Sequence, residues 1–334
     1  MNLFLELLFF LFLILIAAEV FVNALEHLGE QLKISEGVTG SIFAAVGTAL
    51  PETLVPLLAI FAGTEDSKVN EEIGVGAILG APLMLSTLSV FLMSLAVLKK
   101  RGPKGHLTPE KGGLKRDLDF FLMAFSLSFV ALFIPHDEAW VRVTLAFVMV
   151  MVYFVYVLLT LKASSKLVAD GHATEAEAPM WLSRIGLPEN MLVILLQLAL
   201  GVALLVIGAK GFINCVEVAA PILGISALLL SLMIVPVATE LPEKVNSILW
   251  VRRHKDTLAF GNITGAMVFQ GTLLPAIGVA LTPWAPRKEV LLGIVVTLIA
   301  AVWLRYRLLS GGLRVRDLWL NGALYATYLA IALA

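Results

Sequence analysis

The sequence predicts an all-α membrane protein with ten transmembrane helices, arranged as two inverted five-helix repeats. Three observations carry that expectation. The 334 residues are 59% hydrophobic and 15% charged, with a mean hydropathy of +0.94, whereas soluble domains carry about 25% charged residues. Apolar stretches recur at the length that crosses a hydrocarbon core of roughly 30 Å, about 20 residues each. The second half of the chain also repeats polar landmarks of the first.

Ten spans are expected, near residues 3–24, 38–62, 72–98, 118–135, 140–161, 189–213, 222–250, 257–282, 289–305 and 316–333. No Lys or Arg precedes the first, as one would in a secretory signal, and it has a counterpart in the second half, so it is read as structure. The linker 162–188, which contains Asp170, Glu175 and Glu177, is the one substantial polar interruption. It separates a first repeat, 1–161, from a second, 189–334.

Short loops rich in Lys and Arg stay cytoplasmic. The loop 99–116 holds seven basic residues; placing it inside puts 18 of the 24 Lys and Arg inside and five outside (Lys68, Arg142, Lys210, Arg287, Lys288), with Lys244 within a span. The basic loops therefore read as topogenic, with both termini outside and the linker in the cytoplasm. A net charge of −1 excludes bulk attraction to nucleic acid and leaves the lipid bilayer as the evident partner. The single cysteine, Cys215, cannot form an intramolecular disulfide, and the five histidines form no zinc pattern with it. HExxH, GxSxG and GxxxxGK[ST] are all absent, which removes the commonest motif-bearing enzymes.

The repeat appears at an offset of 191 residues. Phe21, Asn23 and Glu26 fall on Phe212, Asn214 and Glu217; Leu32, Ile34 and Ser35 on Leu223, Ile225 and Ser226; Thr48, Leu50, Pro51 and Glu52 on Thr239, Leu241, Pro242 and Glu243. A second match, at offset 185, sets Gly76–Ala81 (GAILGA) against Gly261–Ala266 (GNITGA). Five spans is an odd number, so the second copy enters the membrane from the opposite side. Inverted repeats around a shared midplane site are the architecture of secondary transporters.

Within the spans, Glu52, Glu240 and Glu243 are the informative residues. A carboxylate at the centre of a membrane helix costs roughly 2.5–3.5 kcal/mol, and three unpaired ones on the order of 8–10 kcal/mol if additive. A function that uses negative oxygens, or a buried pair with Lys244 or Lys210, would explain them; symmetric placement in both halves favours function. Thr48 and Glu52 are i,i+4, as are Thr239 and Glu243, so each pair shares a helical face. Prolines 51, 56, 236 and 242 stand beside them and free carbonyls from the helical ladder. The GxxxG patterns Gly76/Gly80 and Gly261/Gly265 are expected to pack spans 3 and 8 against spans 2 and 7, where Asn262, Thr264 and Gln270 would add oxygens. Carboxylates, hydroxyls and freed carbonyls suit Ca²⁺, which takes six to eight oxygens in flexible geometry, better than Mg²⁺. The residues alone thus point to a cation antiporter for Ca²⁺, with no enzyme chemistry and no cofactor; the rival classes are a cation channel and a non-transporting cation sensor.

These motifs are recognisable. Gly47-Thr48-Ala49-Leu50-Pro51-Glu52 and Ala238-Thr239-Glu240-Leu241-Pro242-Glu243 resemble the paired G-T-S-L-P-E signatures of sodium/calcium exchangers in the calcium/cation antiporter superfamily, and the segments from Gly76 and Gly261 resemble the G-N-V-I-G-S segments that follow them. The resemblance implies Glu52 and Glu243 as central Ca²⁺ ligands, Thr48 and Thr239 as neighbouring oxygens, alternating access, and a bacterial or archaeal inner membrane. It also implies Na⁺ as the exchanged ion. The departures point elsewhere. Ala49 and Glu240 stand at the signature serines, Ala81 and Ala266 at the later serines, and Leu85 and Gln270 at the Asn/Asp positions. Neutral oxygens are lost and a carboxylate is gained, and like-charge repulsion makes full ionisation of such a cluster costly, which suits exchange for H⁺.

Overall fold

The computed structural model describes residues 3–31, 50–63, 66–168 and 178–334. Thr48, the matched residues Leu32, Ile34 and Ser35, and the linker acids Asp170, Glu175 and Glu177 lie outside the described residues.

Twelve α-helices are described: α1 (Leu3–Gln31), α2 (Leu50–Ala62), α3 (Ser67–Met84), α4 (Val90–Arg101), α5 (Lys111–Ala131), α6 (Ala139–Val168), α7 (Met191–Leu223), α8 (Ala227–Thr239), α9 (Leu241–Arg252), α10 (Asp256–Leu281), α11 (Lys288–Leu309) and α12 (Trp319–Ala332). The expected all-helical class holds, with one small departure among the described residues: His106–Leu107 pairs antiparallel with Leu313–Arg314 and ties two loops together. Among the described residues, six helical stretches are long and apolar enough to cross a membrane: 3–28, 67–101, 139–160, 191–223, 256–281 and 288–309. Shorter apolar helices run Glu52–Ala62 and Ala227–Val237. Large apolar side chains stay exposed along α1, α6 and α7, among them Phe12, Phe147, Phe154 and Leu192. In water such a surface would be an aggregation liability; against lipid it is the solvated face.

Two of the expected spans are not single regular helices. Span 3 is α3 joined to α4 through a π-helical turn, Leu85–Ser89, just beyond Pro82. Span 7 is α8 followed by α9. Pro236 and Pro242 carry no N–H, which removes the donors that would close the ladder onto residues 232 and 238. The helix breaks between them at Glu240, whose φ and ψ are −92° and 6°. Glu240 N still donates to Pro236 O at 3.2 Å and Lys244 N to Glu240 O at 3.1 Å, so the break is one residue wide.

Helix α1 packs along α7, and α3 along α8. A Cβ on Gly76 would lie 2.5 Å from Leu228 O, and one on Gly80 would lie 2.3 Å from Leu232 O; only glycine lets these two backbones touch. Span 3 therefore uses its GxxxG face across the halves, against span 7 rather than against span 2. In span 8, among the described residues, a Cβ on Gly261 would meet nothing within 4 Å, and one on Gly265 only Tyr156 Oη at 3.9 Å. Residues 36–48, which match α8 at the offset of 191, lie outside the described residues. The far end of the linker docks on the α1–α7 pair: Asn23 Nδ2 donates to Ala178 O at 3.2 Å, while Asn23 Oδ1 accepts from Trp181 N and from Gln197 Nε2.

Candidate cation site

The break at Glu240 turns its side chain inward, and Glu243 follows on the first turn of α9. Opposite them, Glu52 lies in the first turn of α2. One oxygen from each of Glu52, Glu240 and Glu243 lies within 4.8 Å of the other two, and all three residues are buried. Each keeps one carboxylate oxygen, Oε2, inaccessible and without a hydrogen bond. Three carboxylates sharing so small a volume repel one another strongly at low dielectric. Buried polar atoms are otherwise almost always bonded, and a group of three such carboxylates could hold a metal ion.

Of the other residues singled out, Gln270 of α10 joins the cluster. Its Nε2 donates to Glu240 Oε1 at 2.6 Å and its Oε1 is left unpartnered. Thr239 is buried next to the break; its hydroxyl donates back to Val235 O at 3.2 Å, leaving its lone pairs for another partner. Asn262 braces the cluster from behind, donating from Nδ2 to Glu243 O and to Ser247 Oγ at 3.0 Å each. Thr264 turns elsewhere: its hydroxyl donates to Asp117 at 2.7 Å.

Two buried charged residues depart from the sequence reading, which allowed Lys244 a buried pair with a glutamate. Lys244 forms no ion pair within 4.0 Å among the described residues; its Nζ lies 2.8 Å from Pro236 O and 2.8 Å from Met84 Sδ. Lys244 is i,i+4 from Glu240, and its N–H donates to Glu240 O, so the two share a face. Asp117 reads from sequence as the end of a loop, yet it is buried and accepts from Tyr156 Oη at 3.0 Å as well as from Thr264, joining α5, α6 and α10.

Known proteins resemble this chain over most of its length. The family model described as sodium/calcium exchanger protein matches residues 2–162 and 193–334. CaxA of Alkalimonas amylolytica, which bears an antiporter's name, is 24% identical over 284 residues, covering 82% of this chain and 79% of that protein. The inner membrane protein YrbG of Escherichia coli is 24% identical over 273 residues, covering 82% and 78%. Among solved structures, the H⁺/Ca²⁺ exchanger CAX superposes with a TM-score of 0.71 at 17% identity, over 100% of this chain and 87% of that one. The sodium–calcium exchanger NCX_Mj does so with 0.57 at 19% identity, over 97% and 96%.

Proposed function

The chain belongs to the sodium/calcium exchanger protein family, and from that premise we propose that it carries Ca²⁺ across a membrane in exchange for Na⁺, by alternating access around Glu52, Glu240 and Glu243. The observation that carries this reading is the set of three buried carboxylates, from two separate helices, each with an unpartnered oxygen. Glu52 and Glu243 act as the central ligands. Glu240, Gln270 and Thr239 add oxygens, as does Thr48, while Asn262 holds Glu243 in place.

The ten-span inverted repeat is part of the proposal. Its support is that equivalent members of the two halves pair with each other: the first and sixth spans (α1 on α7), and the fourth and ninth (α5 on α11). A two-fold relation between oppositely oriented halves produces such self-pairing, and rocking one half against the other exposes the cluster to each side in turn. The membrane is the inner membrane of a prokaryote, with both termini outside.

A second reading, exchange for H⁺, is favoured by one observation: the described side chains that converge on the site are mostly carboxylates, with Gln270 and Thr239 as neutral oxygen sources. Na⁺ coordination draws on neutral oxygens, whereas a carboxylate can take a proton directly. Purified protein in proteoliposomes, driven separately by a Na⁺ gradient and by a pH gradient, distinguishes the two. Ca²⁺ flux driven by neither, but following its own gradient, would mean a channel; binding without flux would mean a sensor. Glu52→Gln and Glu243→Gln are each expected to abolish exchange, and wild-type rates in both would sink the proposal. Glu240→Ser should shift the balance between Na⁺ and H⁺, read as the ratio of the two gradient-driven rates.

A further inference from the structure

We propose that Lys244 is a tethered cation of the carboxylate cluster, lowering its charge from −3 to −2 so that one Ca²⁺ exchanges for two monovalent cations without net movement of charge. The inference rests on the reading of Glu52, Glu240 and Glu243 as the transport site.

Lys244 sits two turns beyond Pro236 in sequence, yet its ammonium lies on the Pro236 carbonyl. Its side chain therefore runs back past the break at Glu240, alongside the carboxylates. It is buried, and it is close enough to attract Glu52, Glu240 and Glu243. An ordinary structural lysine at this depth would close an ion pair with one of them. Here no carboxylate oxygen is within 4.0 Å among the described residues, and the ammonium rests on one carbonyl and one thioether. A thioether is a weak acceptor and an ammonium has three donors to satisfy, so this cradle holds the charge beside the cluster without consuming a carboxylate oxygen. The position does what a bound monovalent ion would do, with the ion anchored to the chain.

The charge arithmetic follows. Three ionised carboxylates and one ammonium sum to −2, which a single Ca²⁺ neutralises and which two monovalent cations neutralise equally. Without the ammonium the cluster is −3 and accommodates a third monovalent ion, so each cycle would move one net charge. Moving a charge across the membrane couples flux to voltage by about 2.3 kcal/mol per 100 mV.

The test is Ca²⁺ exchange in proteoliposomes at zero and at inside-negative potential, clamped with K⁺ and valinomycin, for wild type, Lys244→Met and Lys244→Arg. Wild type and Lys244→Arg are expected to exchange at the same initial rate at both potentials, while Lys244→Met changes rate several-fold between them. Voltage-dependent exchange by wild type overturns the inference without needing any variant, and so does voltage-independent exchange by folded Lys244→Met. Either result leaves the site reading intact. Absence of Ca²⁺ flux under every gradient, with glutamate variants indistinguishable from wild type, removes the site reading and this inference together.

Discussion

Arg101 donates from Nη1 and Nη2 to the two carboxylate oxygens of Asp256 at 2.7 Å each, and from Nη2 to Val251 O at 2.6 Å. Asp256 also accepts from Thr108 N at 2.8 Å. Both ends of the pair are buried, at 8% and 3% side-chain exposure. Breaking a buried pair from one side leaves an uncompensated charge and costs about 3–5 kcal/mol. Arg101→Ala should therefore lower the melting temperature in detergent markedly, whereas alanine at Lys99 or Lys100, both exposed, should leave it nearly unchanged. Lysine at position 101 should recover only part of the loss, because it cannot grip both oxygens in the same planar fork. The sequence counts Arg101 as one of seven basic residues in an orienting loop. Nothing in spacing separates it from its neighbours, since its partner is 155 positions away. The glutamates were legible for the opposite reason: an acidic residue inside an apolar span is costly wherever it points.

Between α3 and α8 the backbones meet at Gly76 and Gly80. Gly80→Ala must push the helices apart or strain Leu232, a change of the overpacking kind that costs about 1–3 kcal/mol. We expect a lower melting temperature and slower Ca²⁺ exchange from Gly80→Ala. Sequence marks Gly76 and Gly80 as a close-packing pattern, but only the fold shows that α8 is the backbone opposite them. The break of span 7 was half legible. Pro236 and Pro242 announced a weakened ladder, but a 29-residue apolar window, 222–250, averages over a one-residue interruption and reads as a single helix. At that interruption Glu240 joins Glu52 and Glu243, and one turn further on Lys244 reaches back to Pro236 O.

For the whole molecule, the proposed alternation of spans makes a directional prediction. The single native cysteine, Cys215, is buried, so a Cys215→Ala background is a mild change from which to place reporters. Cysteines at Lys104 and at Asp137 should label from opposite sides of the membrane, and labelling from the same side would refute the alternation of spans. The helical class and the membrane setting were written in composition and span length, which need no knowledge of contacts. Which helix packs on which was not, because apolar residues facing lipid and apolar residues facing another helix look the same along the chain. The pairing of α1 with α7 shows the difference, and it has a consequence for how the protein is made. These two helices begin about 190 residues apart, and at a synthesis rate of roughly 5–20 residues per second the first is complete some 10–40 seconds before the second exists. For that interval α1 waits in the membrane with the face that will meet α7 covered only by lipid or by a biogenesis factor. The last assembly step of the first helix is thus set by the ribosome's progress through the second half.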